Sequence, residues 1–263
     1  MQRGHRDTER GTGLGAGALL LLWLAAAAPG WGAELTGTEI VRRAERILRG
    51  ESNRGTYEMT VTTPRWERTL KLKVWQKGLE KTFIRILEPP KEAGIGSLKL
   101  GYQMWNYIPR VERVIKIPPS MMMQPWMGSD FTNDDLVKES SIVHDYTHRL
   151  LGVESLGGER AYRVEAVPKP QAPVVWGRIV LWIRQADFMP LRQDYYDERG
   201  RLIRRLVFSD FRRLHGRLLP TRWEMIPLTE KKKGRRTVIR VLDVEYNIPL
   251  DDGIFTLRNL KRP

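Results

Sequence analysis

The sequence predicts a mainly-β fold, a large antiparallel meander of about a dozen strands behind one N-terminal helix. Apolar and polar residues alternate over most of the chain, hairpin signals recur at short intervals, and helical periodicity occurs once. A sheet of that size must curl or close to bury one face. No repeat or low-complexity linker divides residues 34–263, which therefore read as one domain.

Thr38 is the expected cap of the helix, whose apolar positions Ile40, Val41, Ala44, Ile47 and Leu48 lie one turn apart, with Gly50 ending it. Period two follows. Leu70, Leu72 and Val74 alternate with Thr69, Lys71 and Lys73. Ile179, Leu181 and Ile183 alternate with Arg178, Val180 and Trp182. Val238, Leu242, Val244 and Tyr246 share a predicted face opposite Ile239, Val241 and Asp243. Turns are expected at Lys77-Gly78, Gly157-Gly158, Glu198-Arg199-Gly200, His215-Gly216 and Lys233-Gly234.

Composition narrows the function. Hydrophobic residues make up 41% and charged residues 29%, enough for a packed core. The absence of cysteine excludes disulfide scaffolds, thiolate metal sites and thiol nucleophiles. A net charge of +14 points to anionic partners. Residues 1–33 read as a secretory signal peptide: Arg3, Arg6 and Arg10, an apolar run from Leu14 to Ala28, then Pro29, Gly30 and small residues. The run is about 15 residues, whereas a membrane-spanning helix needs about 20, so an uncleaved anchor is the weaker reading. Cleavage is expected between Pro29 and Leu35. Removing residues 1–33 takes away three Arg and two acids and leaves +13. An exported protein has little access to nucleic acid, so the basicity is read as attraction to an anionic membrane surface. The run Lys231, Lys232, Lys233, Arg235 and Arg236 is the candidate docking element, set against a solvated hairpin tip.

From Pro89 to Ser140 the meander is interrupted by an expected ordered flap. It carries Met104, Trp105, Tyr107, Met121, Met122, Met123, Trp126, Met127 and Phe131, which form the candidate lipid-binding set. Unbranched Met suits cargo of varied shape, although Met also fills core gaps. The run Gly101-Tyr-Gln-Met-Trp105-Asn-Tyr107-Ile-Pro109, Arg113, Ile117-Pro-Pro-Ser120-Met-Met-Met123 and Trp126-Met-Gly-Ser-Asp-Phe131-Thr-Asn-Asp-Asp135-Leu resembles the signature of the outer membrane lipoprotein-sorting proteins, which have a LolA-like domain. Asn247-Ile-Pro-Leu-Asp-Asp-Gly-Ile-Phe255 is similar to the closing strand of the wider LolA/LolB-like superfamily. The resemblance spans roughly residues 36–260. It implies a curved, incompletely closed antiparallel β-barrel with an apolar concave face, a lid of short helices and loops, and residence in the periplasm. It also implies carriage of acyl chains of lipoproteins or other lipids.

An acyl carrier needs an apolar groove, and burial contributes about 0.8 kcal/mol per methylene. The Trp residues at 66, 75, 105, 126, 176, 182 and 223 suit a pocket or its rim as well as a core. Catalytic and metal signals are weak. On a strand, His144 and His148 stand about 13 Å apart, too far to share a metal. The cluster Asp130, Asn133, Asp134 and Asp135 lacks calcium-loop spacing, and Thr132 with Asp135 reads as a capping pair. Gly96 and Gly101 lack the following Lys-Ser/Thr of a phosphate loop, and no Gly-x-Ser-x-Gly occurs. No cofactor is expected. The leading reading is therefore a non-enzymatic periplasmic carrier that moves lipoprotein acyl chains or phospholipid towards the outer membrane. The alternative is a lipid-sensing adaptor that regulates a membrane partner, such as an inner-membrane transporter. An enzyme acting on envelope lipid is the third hypothesis.

Overall fold

A computed structural model describes residues 35–138 and 142–262; the expected signal peptide lies outside the described residues. Helix α1, Gly37–Arg49, is capped by Thr36, whose hydroxyl accepts from the Glu39 amide at 3.2 Å, rather than by Thr38. Thr38 lies inside the first turn and meets Nδ1 of His148 at 3.2 Å instead. Gly50 ends the helix at φ 64°, a conformation that glycine adopts without strain. Ile40, Val41 and Ala44 face the sheet, while Glu39 pairs outward with Arg42 and Arg43.

The chain then forms β1 (Ser52–Thr62), β2 (Glu67–Lys77), β3 (Lys81–Glu88), β4 (Gly96–Leu100), β5 (Gln103–Ile108) and β6 (Arg113–Lys116). Seven more strands follow the interruption: β7 (Tyr146–Leu156), β8 (Glu159–Pro168), β9 (Arg178–Arg184), β10 (Pro190–Tyr196), β11 (Leu202–Leu214), β12 (Arg217–Pro227) and β13 (Arg236–Tyr246). The five expected turns all fall between paired strands. All thirteen strands belong to one antiparallel sheet in the order β6-β5-β4-β3-β2-β1-β13-β12-β11-β10-β9-β8-β7, a curved open barrel. The chain starts at the middle of the sheet, meanders out to one edge, crosses to the other and meanders back. β1 and β13 join the two halves, and β6 and β7 are the unpaired edges. The expected flap is thus half sheet, because residues 96–116 extend the meander as β4–β6. Among the described residues, only 117–138 and 142–145 interrupt it, on the crossing from edge to edge.

Alternation along the strands gives two faces. Met59, Val61, Leu70, Leu72, Ile84 and Ile86 build the inner face of one half, and Val164, Ile179, Leu181 and Ile183 build that of the other, under α1. Val180 and Trp182 are also buried, in a smaller outer cluster with Ala161 and Leu191, so β9 is covered on both faces. In β13 the expected alternation breaks. Thr56 pairs with Asp243 and Tyr57 with Val241, leaving Leu242 as an extra residue in a bulge. The bulge shifts the parity, so Val241 and Val244 both face the core while Leu242 is 46% exposed.

Residues 247–255 do not form the expected closing strand. They run irregularly into a 3-10 turn, Asp252–Phe255, and a short helix α3, Leu257–Leu260, on the outer face of β3–β5. Buried Arg85 holds this tail, donating to the carbonyls of Asn259 at 3.0 Å and Leu260 at 3.1 Å.

Candidate functional site

Between the inner face and its covers lies an apolar cavity of about 190 Å³. Val41, Ala44 and Leu48 of α1 form its roof on one side; Trp126 and Phe131 of the crossing segment form it on the other. The floor includes Leu72 and Ile84 from one half of the sheet, and Leu181, Phe208 and Trp223 from the other. Phe208 and Trp223 meet edge to face, with ring centroids 6.0 Å apart.

The crossing segment is the lid. Pro118, Pro119 and Pro125 break it into short turns before α2, Asn133–Lys138. Trp126 is buried and donates its indole N–H to Oγ of Ser97 at 3.0 Å. Thr132 and Asp135 form the expected cap: the Thr132 amide and hydroxyl both donate to Asp135 Oδ2, at 2.7 and 2.9 Å, and the Asp135 amide donates back to the hydroxyl at 3.2 Å. The same carboxylate accepts two hydrogen bonds from Arg204 of β11, one at 2.7 Å. The Arg204 guanidinium also lies over the rings of Trp176 at 4.3 Å and Tyr195 at 4.5 Å, which meet edge to face. Burial alone would raise the Asp135 pKa, but the Arg204 charge and the hydrogen bonds outweigh it and hold the carboxyl below its ordinary range. Asp130 accepts a hydrogen bond from the Thr237 hydroxyl at 2.9 Å and lies 3.4 Å from Arg235.

The candidate lipid-binding residues separate into four groups. Trp126 and Phe131 line the cavity. Met104, 1% exposed, lies within the inner core, and Met122 and Met127 pack against that core from the lid. Met121 and Met123 are each 45% exposed and are not part of the lining. Trp105 and Tyr107 correct the expectation that they sit at the same mouth. Alternation sends them opposite to Met104, onto the outer face with Phe83, Leu98, Phe255 and Leu260. The basic run also divides. Arg235 donates to the Gly128 carbonyl at 3.2 Å and, with Lys232 at 4.0 Å, faces Asp130 of the lid; Lys231, Lys233 and Arg236 are exposed. His144 sits in a turn before β7, so residues 142–145 are not the expected strand. Nε2 of His148 faces the Ile142 carbonyl at 2.9 Å.

Sequence reasoning missed the contributions of α1, Phe208 and Arg204, whereas Trp223 was among the tryptophans expected at a pocket, its rim or the core. The apolar face of α1 and the Leu206, Phe208 alternation were available signals. Nothing local marked Arg204.

A family model described as an uncharacterized protein matches residues 78–262, well over half of the chain. No curated protein matches the sequence. Among solved structures, a DUF1329 family protein from Desulfovibrio piger is similar at 25% identity, with a TM-score of 0.78, over 85% of this chain and 97% of that one. A LolA superfamily protein from Nitrosomonas europaea is similar at 26% identity and a TM-score of 0.72, over 86% of this chain and 100% of that one. A domain described as an outer membrane lipoprotein-sorting protein, from Vibrio parahaemolyticus, shares the fold at 23% identity and a TM-score of 0.74, over 86% of this chain and 98% of that one. The chain belongs to the family that the matching model describes, and it has the LolA-like fold of the lipoprotein-sorting proteins.

Proposed function

We propose that the protein is a non-enzymatic carrier that takes acyl chains, of lipoproteins or of phospholipid, into the cavity beneath α1 and the lid. In this reading the chain is exported to the periplasm after removal of residues 1–33, and it moves its cargo towards the outer membrane. The observation that carries the reading is an apolar cavity lying between a continuous sheet and two covers. Pockets that hold a small molecule span roughly 300–1000 Å³, whereas this cavity holds about 190 Å³. In this reading the cavity is small for a bound acyl chain, and the chain enters as α1 and the lid move apart. Each methylene buried contributes about 0.8 kcal/mol, so a long chain offsets the cost of that opening.

The cargo site in this reading comprises Trp126 and Phe131 from the lid, Ala44 from α1 and Phe208 and Trp223 from the floor. Lipid extraction and native mass spectrometry of protein purified without detergent test it. Wild-type protein should carry lipid, and Ala44→Phe, which fills the roof of the cavity, should carry less at an unchanged melting temperature. Transfer of that lipid between vesicles distinguishes a carrier from a sensor. A wild-type protein that brings no lipid out of the envelope and takes none from vesicles sinks the proposal.

A further inference from the structure

At one end of the barrel the β1–β2 turn meets the β12–β13 loop: a Cβ on Gly234 would lie 3.2 Å from Cγ of Pro64. Trp66 in the first is 45% exposed, and Leu228 in the second is 42% exposed. The same turn and loop, with the start of β13, carry Arg65, Lys231, Lys233 and Arg236, all exposed and without an ion-pair partner among the described residues. Glu67 and Glu230 are the exposed acids beside them, so positive charge is in excess. The guanidinium of Arg68 lies 5.7 Å from the Trp66 ring centroid. Leu228, Lys233 and Arg236 also border a hollow of about 560 Å³ between the loop and the end of β1.

An exposed Trp and Leu accompanied by unpaired Lys and Arg is the arrangement that an anionic bilayer rewards. The indole belongs at the headgroup level, where its ring and its N–H are both satisfied, and each cation near such a surface contributes about a factor of five in binding. We propose that this end of the barrel, with Trp66 and Leu228 as anchors and Arg65, Lys231, Lys233 and Arg236 as the cationic set, docks on an anionic lipid bilayer. The surface supplements the carrier reading and stands whether or not the cavity carries lipid. It also adjoins the lid, since the same loop contributes Arg235 to Gly128 and Asp130.

The test is flotation with vesicles of equimolar phosphatidylglycerol and phosphatidylcholine, against vesicles of phosphatidylcholine alone. Wild type, the triple variant Lys231→Ser/Lys233→Ser/Arg236→Ser and Trp66→Ser are compared, with Tyr102→Ser as control. Tyr102 is 61% exposed in the β4–β5 turn at the opposite end of the sheet. Wild type should prefer the anionic vesicles and lose binding as salt rises. The triple variant should bind on the order of a hundredfold more weakly and Trp66→Ser several-fold more weakly, while Tyr102→Ser binds as wild type does. Melting temperature and co-purified lipid should stay the same in all four, which keeps docking separate from cargo binding. Equal binding by the triple variant and wild type overturns the proposal, as does equal loss from Tyr102→Ser. So does wild-type protein that ignores both vesicles but is captured through these same residues by an immobilised acidic polypeptide.

Discussion

Helix α1 and the lid cover neighbouring parts of the same inner face, α1 through Ile40, Val41 and Ala44 and the lid through Asp135, Asp130 and Trp126. Apolar contact is non-directional, so α1 can shift and still bury its stripe. A bidentate ion pair has one geometry, and once broken it strands a buried charge. The lid therefore has a more sharply defined closed position than α1, although it contains less regular structure. A carrier that opens between these two covers would keep one as a compliant roof and the other as a latch.

The largest expected effect breaks the latch side. Arg204→Ala leaves the Asp135 carboxylate without its partner and should cost about 3–5 kcal/mol in denaturant unfolding. The double variant Arg204→Met/Asp135→Asn, whose amide oxygen can still accept from Thr132, should recover much of that loss; a double variant as unstable as the single one would mean that Arg204 acts through its contacts with Trp176 and Tyr195. On the compliant side, Ile40→Ala should cost about 2–5 kcal/mol, because Ile40 is fully buried. The compliance of α1 places the expected loss near the lower end of that range. A loss at the upper end would show that the roof is as rigid as the latch.

Trp126→Phe keeps an aromatic ring but removes the indole hydrogen bond to Ser97 together with part of the buried area, and at least about 1 kcal/mol should be lost. An unchanged midpoint would mean that the ring alone fixes the lid against β4. The smallest effect is a separation in pH. Burial, chiefly, holds the His148 imidazole below its ordinary range, helped by the Lys169 and Arg42 charges and opposed by the Ile142 carbonyl. Its neutral form is favoured in the folded protein, so its contribution is complete above about pH 6.5 and declines as pH falls below that value. The lowered Asp135 pKa gives a contribution that is complete above about pH 4 and is lost at lower pH. Amide exchange should thus show the first turn of α1 loosening before the lid on acidification, and the reverse order would contradict the assignment of the two covers.

Much of the fold was legible because it is local. The amphipathic stripe of α1, the alternation in β2 and β9 and the five turn signals each depend on residues a few positions apart, where periodicity and backbone sterics act directly. Failures occurred where local rules met a longer-range demand. Leu242 kept the pattern of a buried residue, but the bulge against Thr56 and Tyr57 turned it outward. Trp105 and Tyr107 carried the composition of a binding site, yet they share a parity that points them at the C-terminal tail. Lys232 and Arg235 belonged to an evident basic run, and nothing nearby in sequence indicated that Asp130 would take them.

The sequence by itself determined the strands, the single long helix, the absence of thiol chemistry and the unusual Met- and Trp-rich segment. Only the tertiary structure decided that this segment starts at one open edge of the sheet and ends at the other, and so crosses the cavity. It alone paired Asp135 with Arg204, 69 residues away, and Asp130 with Thr237, 107 residues away. It also brought Trp66 beside the basic loop. The reason is that hydrogen-bond geometry and side-chain alternation act over a few residues and are written in local order. Which distant strands adjoin, and which buried charges then meet, depends on how the whole sheet closes, and no short window of sequence contains that information.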